Sequence, residues 1–207
     1  MNTTPQGPPR VWVFIDGQNL YRDARDAFHD HKADPSSFGQ VYPDKLGALF
    51  MDMRPGPERT LEMIRVYTGS PSNARDPKGY SAHMKQRSVW IGAGVKVFPR
   101  TLQYPNDGGK PHEKGVDVEL AVDLVRFGLI DRMFDVGVVV STDTDLTPAL
   151  QAITESPDAR AWGWPRVETF CWEGLNKPLR LPTQKLWTYY PTRNQYESVR
   201  DYTNYTL

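Results

Sequence analysis

Two short apolar runs constrain the fold of this chain more than any other feature of its sequence. The segments 11–15 (VWVFI) and 136–140 (VGVVV) are rich in β-branched residues and contain no polar side chain. Such runs are typical of strands that are buried on both faces. Strands of this kind belong to parallel sheets with helices on both sides, because each parallel connection needs a crossover segment. The runs therefore predict an α/β fold.

The rest of the chain alternates between strand and helix patterns, as a central, mostly parallel sheet flanked by helices requires. Further strands are predicted at 61–68, 95–98 and 167–172, and helices at 19–30, 44–53, 80–90, 115–129 and 145–154. We expect a flexible N-terminus over 1–10, one domain over 11–172, and a C-terminal extension over 173–207. That extension is rich in Pro, Tyr and Arg, and we expect it to pack on or near the domain with order around 186–190.

Composition excludes several classes of protein. No apolar run approaches the roughly 20 residues that a membrane-spanning helix needs, and the polar, Pro-rich start does not resemble a secretory signal. Cys171 is the only cysteine, so an internal disulfide and a cysteine-based zinc site are ruled out. A single thiol suits a reducing, cytoplasmic environment. The net charge is zero, so any case for nucleic-acid binding must come from a site and not from the total charge.

Four aspartates are expected at one edge of the predicted sheet. Asp16 directly follows the first apolar run, and Asp143 and Asp145 follow the second within a few residues. Asp117 lies in the first turn of a predicted helix. In open parallel sheets ligands bind beyond the carboxyl ends of the strands, so these acids are candidate functional residues. Taken singly, each has a plain structural alternative as a turn residue or a helix cap.

The helix that contains Asp117 gives a further reason to expect a bound ion. At about 100° per residue, the apolar stripe of this helix lies within about 60° of Asp117. A lone carboxylate is costly to bury there, and a metal ion shared with Asp16 and Asp143 would compensate it. Oxygen ligands without His or Cys suit Mg²⁺ or Mn²⁺. Asn19 could orient a water or contact a phosphate, whereas Asp123 flanks the stripe and is expected to form a salt bridge or to support the ligands without binding the ion itself.

Three segments resemble, in order and spacing, the signature blocks of NYN-domain proteins, a branch of the PIN-like ribonucleases. They are Phe14–Tyr21 (FIDGQNLY), Lys114–Leu124 (KGVDVELAVDL) and Val138–Leu150 (VVVSTDTDLTPAL). Leu146 stands where the family often has Phe. The resemblance implies a PIN-like three-layer fold and hydrolysis of RNA with a divalent metal. The matching site positions are Asp16, Asn19, Asp117, Asp143 and Asp145, of which the four aspartates would ligate the metal.

Two other functions remain open at this point. The segment Asp143–Thr147 also fits the DxDx[TV] motif and resembles the nucleophile motif of haloacid-dehalogenase-type phosphatases, in which the first Asp attacks phosphorus. That motif normally lies on the first strand, with its partners downstream, whereas here the other acids lie upstream. A catalytically weak RNA-binding module of PIN-like fold is the second alternative. The sequence is also compatible with a homo-oligomer.

Basic and aromatic side chains are secondary candidates for contacts with RNA. Phosphates could be bound by residues near the first two acidic blocks: Arg22, Arg25, Lys32, Lys110, His112 and Lys114. Bases could stack on the C-terminal aromatic residues Trp162, Trp164, Trp172, Trp187, Tyr189 and Tyr190. For both sets, an ordinary place on the surface or in the core is the simpler expectation.

Overall fold

The computed structural model describes residues 7–35, 37–106 and 108–207. Of the predicted flexible N-terminus, residues 1–6 lie outside the described residues. In chain order the elements are β1 Arg10–Asp16, α1 Gly17–Phe28, α2 Pro43–Met53, β2 Thr60–Ser70, α3 Pro77–Gly92, β3 Lys96–Thr101, α4 Val116–Val125, β4 Val136–Val140, α5 Thr147–Thr154, α6 Pro157–Trp162, β5 Arg166–Phe170, β6 Trp187–Tyr189 and α7 Arg193–Val199. A π-helical turn (Arg126–Ile130) extends α4, and a 3₁₀ turn (Thr144–Leu146) precedes α5.

The six described strands form one sheet in the order β3-β2-β1-β4-β5-β6, and every neighbouring pair is parallel. The predicted α/β class is therefore confirmed. Chain order reverses between β1 and β4, which pair from Val11↔Val136 to Ile15↔Val140. This pair is the topological switch point, and the crevice beyond its carboxyl ends is where such sheets bind ligands.

The sheet separates two hydrophobic cores, and β1 contributes to both. Val11, Val13 and Ile15 belong to the core under α1, α2 and α7, whereas Trp12 and Phe14 belong to the core under α4 and α5. Alternate side chains of a strand point to opposite faces, so a continuous apolar run is what two covered faces require. The result is a three-layer arrangement of helix, sheet and helix.

The C-terminal segment is more structured than the sequence predicts. The short strand β6 falls within the predicted ordered stretch 186–190 and pairs with β5 from Glu168↔Trp187 to Phe170↔Tyr189. Helix α7 was not predicted, although Thr192 and Gln195 form a capping box at its start. Its side chains Tyr196 and Val199 are buried in the first core. Helix α6 was also missed. None of the helices in the described ranges is long and apolar enough to cross a membrane.

Candidate active site

The first two acids are placed by the ends of the central strands. Asp16 ends β1 and caps α1, where its Oδ1 accepts a hydrogen bond from Asn19 N at 2.9 Å. Asp143 follows β4 and caps the 3₁₀ turn, accepting from Asp145 N at 3.0 Å. Both carboxylates therefore do act as caps, as the plain structural alternative predicts. A cap of this kind uses one oxygen, and an ionised carboxylate has further capacity to accept.

Helix α4 supplies the third acid. Gly115 precedes the helix with φ 72°, a left-handed conformation that glycine adopts without strain. Leu120 and Leu124 then pack into the second core, as the apolar stripe predicts, and Val116 joins them, while Asp117 is half-buried at the start of the helix. The stripe fixes the rotation of α4 and so brings Asp117 to the edge where β1 and β4 end.

These acids border one cavity of about 220 Å³, which we call the acidic cavity. Its lining residues are Asp16, Gln18, Asn19, Arg22, Glu113, Val116, Asp117 and Asp143. The structure thus brings together four of the five predicted site residues, and Arg22 adds a positive charge beside them. Asp145 is not among the lining residues. Its side chain is exposed, and its backbone N–H is bonded to Asp143.

Glu113 is a residue of the acidic cavity that the sequence analysis missed. Its Oε1 accepts a hydrogen bond from Gly69 N at the end of β2. A Cβ at position 69 would stand 2.7 Å from Glu113 Cγ, so the glycine makes room for this side chain. Burial raises the pKa of Glu113, and the nearby Asp117 raises it further, while the Gly69 N–H and Arg22 oppose the shift.

The carboxylates of the acidic cavity raise one another's pKa. Asp16 is 7% exposed, and burial raises its pKa to about 7, with Glu113 and Asp143 adding to the shift. The groups that oppose this shift are the backbone N–H groups of Asn19 and Gln18, not cationic side chains. A hard divalent ion would offset the repulsion between these carboxylates, so the donor set fits Mg²⁺ or Mn²⁺. The carboxylates border the cavity without forming a finished coordination shell. Across the described residues, no three His, Cys, Asp or Glu side chains are grouped closely enough to hold an ion.

Asn19 connects helix α1 to the loop that follows β4. Its Oδ1 accepts a hydrogen bond from Thr142 N at 2.8 Å and lies 3.3 Å from Thr142 Oγ1. The Thr142 hydroxyl also lies 2.8 Å from Asp23 Oδ2, and Asp23 is a buried residue of α1. Helix α1 is therefore bound to the loop that carries Asp143. The side chain of Asn19 therefore lines the acidic cavity and also links the two segments of the chain that border it, α1 and the loop after β4.

Other predicted residues have structural roles. Asp123 forms an ion pair with Arg65 at 2.6 Å and accepts from Tyr67 OH, which confirms its predicted salt bridge. Arg25 is buried and donates to the carbonyls of Pro35 and Phe38, so it cannot line an RNA channel. Two of the C-terminal aromatic residues, Trp172 and Tyr189, lie in the first core, so packing explains them.

Comparison with known proteins places the chain in a family. The sequence profile of the NYN domain matches residues 10–160, and the chain belongs to that family, a group of PIN-like, nuclease-type modules. The crystal structure of a protein of unknown function from Vibrio parahaemolyticus has a similar fold, with a TM-score of 0.51 and 14% identity over 82% of this chain and 83% of that one. No curated protein matches the chain.

Proposed function

We propose that this protein is a divalent-metal-dependent ribonuclease that hydrolyses RNA phosphodiester bonds. The observation that carries the proposal is the convergence of Asp16, Asp117, Asp143 and Glu113 on one cavity at the switch point of the sheet. A nuclease of this kind needs a concentrated set of carboxylate oxygens beside a phosphate-binding group. The family supports nuclease chemistry, while the metal and the RNA substrate are our proposal.

Each residue of the acidic cavity has a role in this mechanism. Asp16, Asp117 and Asp143 would hold Mg²⁺ or Mn²⁺, which neutralises phosphate charge and activates water. Arg22 binds a non-bridging phosphate oxygen, and the amide of Asn19 positions the same group. Glu113 lines the same cavity, and burial raises its pKa, so this carboxylate is suited to receive the proton of the attacking water.

Asp145 remains a predicted ligand whose role must be tested separately. It lies two residues from Asp143, but its exposed side chain does not border the acidic cavity. We propose that it contributes at the mouth of the cavity, to a second ion or to the substrate. Its replacement should therefore cost less activity than replacement of Asp143.

The phosphatase alternative requires a different arrangement of the same residues. A nucleophilic Asp143 would need Asp145 in the same cavity as its acid and base, and it would leave Asp16 and Glu113 without a role. The acidic cavity contains the latter two and not Asp145. This favours hydrolysis by water over attack by Asp143.

The test is cleavage of labelled RNA by the purified protein with Mg²⁺, with Mn²⁺ and with EDTA. We expect cuts at internal linkages with either ion, none with chelator, and no turnover of p-nitrophenyl phosphate. Cleavage that persists in EDTA would contradict the metal mechanism. Robust monoester turnover would favour the phosphatase, and metal-independent RNA binding without cleavage would indicate an RNA-binding module.

A further inference from the structure

A second cavity, of about 340 Å³, adjoins the acidic cavity. The two share Gln18 and Glu113 in their linings, so a ligand in one reaches the wall of the other. The second cavity lies beyond the carboxyl ends of β1 and β2 and is bounded by α1, α3 and the C-terminal residues Asn204–Thr206. Its volume is at the lower end of the roughly 300–1,000 Å³ of small-molecule sites.

The chemistry of this cavity is the opposite of that of its neighbour. Apart from Glu113 on the shared wall, its described lining side chains are apolar, hydroxyl or amide groups together with the aromatic Tyr21, His83, Trp90 and Tyr205. Burial lowers the pKa of His83 to about 4, so its ring is neutral at pH 7. Neither Lys nor Arg is among the described residues that line it, so nothing there selects a phosphate. The lining suits an uncharged, flat ligand with polar edges.

The wall also has unused hydrogen-bonding capacity. Gln40 Oε1, His83 Nε2 and Trp90 Nε1 are buried without a hydrogen-bond partner among the described residues. Buried polar atoms are normally paired, so these three atoms are unusual. They comprise an acceptor, an imidazole nitrogen and a donor. These atoms are enclosed by the wall, so a ligand with donors and acceptors on one edge could pair with the Gln40 amide or the His83 ring once that group rotates.

We propose that this second cavity, which we name the base pocket, binds an unpaired nucleobase of the strand whose scissile phosphate lies at the acidic cavity. The placement matches the two parts of a nucleotide, since the charged phosphate would meet Arg22 and the acids while the neutral base enters the uncharged pocket. The inference rests on the proposed ribonuclease function for its substrate.

Binding of free nucleosides tests the pocket without any cleavage. Adenosine, guanosine, cytidine and uridine would each be titrated in EDTA into protein with ¹³C-labelled Ala and Leu methyl groups, and the resonances of Ala82 and Leu102 followed by NMR. We expect at least one nucleoside to shift both resonances to saturation, and ribose to leave them unchanged. Equal shifts with ribose, or no shift with any nucleoside, would overturn the proposal.

A matched pair of substitutions on α3 locates the binding. Ala82 lines the base pocket, whereas the exposed Ser88 on the same helix does not. Ala82→Phe fills the pocket and should weaken nucleoside binding at least about tenfold, within the range of base-stacking contributions, while Ser88→Phe should not change it. If Ala82→Phe does not fold, Gln86→Phe blocks the pocket from the next turn. Unchanged affinity in a folded, blocked variant would refute the proposal.

Cleavage assays separate failure of the pocket from failure of the proposed function. A series of RNAs would each carry one abasic nucleotide, at a different position in each. Cleavage should be about tenfold slower when the missing base lies at one fixed distance from the cleaved bond. Nucleoside binding without any RNA cleavage would reject the ribonuclease and retain the pocket. Equal cleavage rates for all positions of the abasic nucleotide would support the ribonuclease and reject the base pocket.

Discussion

Asp16 and Asp143 occupy equivalent strand ends but differ in burial. Asp16 is almost fully enclosed and has a pKa of about 7, whereas Asp143 is half-buried. Asp16 is therefore the group at which a proton competes with a cation near neutral pH. Asp143 borders the same cavity and is more accessible to substrate. Substitution of Asp143 should therefore change the rate of RNA cleavage, whereas substitution of Asp16 should change the pH dependence of stability.

Asp143→Asn should lower metal-dependent RNA cleavage at least about 100-fold, because even groups that only support metal ligands contribute 10–100-fold. The melting temperature should be unchanged or higher, since one of the close carboxylates has lost its charge. Single-turnover cleavage and thermal melting measure the two effects. Asp145→Asn is the matched control and should cost much less. Equal losses of cleavage activity in both variants would contradict a difference in role between Asp143, which lines the acidic cavity, and Asp145, which does not.

The pKa of Asp16 predicts a pH-dependent stability in EDTA. The folded state holds this proton up to about pH 7, while the unfolded chain releases it near pH 3.8. Stability from this group is complete below pH 3.8 and is lost as the pH rises towards 7. Asp16→Asn, which can still cap α1, should raise stability at pH 8 by the order of 1–4 kcal/mol and hardly at all at pH 4.

Denaturant unfolding at pH 4, 6 and 8 measures this difference, with the exposed Asp145→Asn as control. Addition of Mg²⁺ at pH 8 should stabilise the wild type more than Asp16→Asn. If Asp16→Asn were more stable than the wild type by the same amount at every pH, burial would not be the cause of a raised pKa at Asp16.

At the scale of elements, the site depends on the connection between α1 and the loop after β4. Thr142 makes this connection with two hydrogen bonds: its backbone N–H donates to Asn19 Oδ1, and its hydroxyl donates to Asp23 Oδ2. Asp23 is buried, and burial raises its pKa while the hydrogen bond from Thr142 opposes the shift, so loss of the hydroxyl removes a donor from a buried carboxylate. Asp143 is the next residue along the chain, so its position depends on the same contacts.

Thr142→Val should lower the free energy of unfolding by about 1–3 kcal/mol, because it keeps the shape of the side chain but removes its hydrogen bond to a buried carboxylate. Thr142→Ser retains the hydroxyl and should lose much less. Urea unfolding gives the stabilities, and RNA cleavage should fall in the valine variant alone. Identical stabilities for the two variants would show that the hydroxyl bond contributes nothing.

Local patterns predicted most elements and three of the four acids that line the acidic cavity, and distant contacts account for what they missed. Asp16 and Asp143 could be found because a buried run ends beside each of them in the sequence. Glu113 has no such run, and its place follows from a hydrogen bond to Gly69, 44 residues away. Asp145 follows the same strand as Asp143, but the 3₁₀ turn leaves its side chain exposed. Helix α7 carried a readable signal in its capping box, whereas strand β6 has only three residues and depends on β5 for its pairing.

At the scale of the whole molecule, the sheet extends beyond the segment that matches the family. The match ends at residue 160, but β5 and β6 follow it and complete the sheet on the side of β4. Glu168 of β5 is 2% exposed and is bonded to Arg59 at 2.9 Å and to Tyr189 OH of β6 at 2.6 Å. A buried carboxylate needs such partners, so β6 contributes a hydrogen bond to the buried Glu168 as well as apolar packing.

Chains that end at residue 160 or at residue 185 should therefore fail to fold cooperatively. The first lacks both strands, leaving the paired edge of β4 open, and the second keeps β5 but removes Tyr189 from Glu168 and Tyr196 from the first core. Removal of a large aromatic side chain from a core costs about 3–5 kcal/mol, which is comparable to the whole stability of a domain of this size. Circular dichroism melts of the two shortened chains, beside the full chain, measure the outcome. The full chain should give one sharp transition and the shortened chains a gradual loss of signal with no midpoint. A cooperative transition near the melting temperature of the full chain, in either shortened chain, would show that the family segment folds without the strands that follow it.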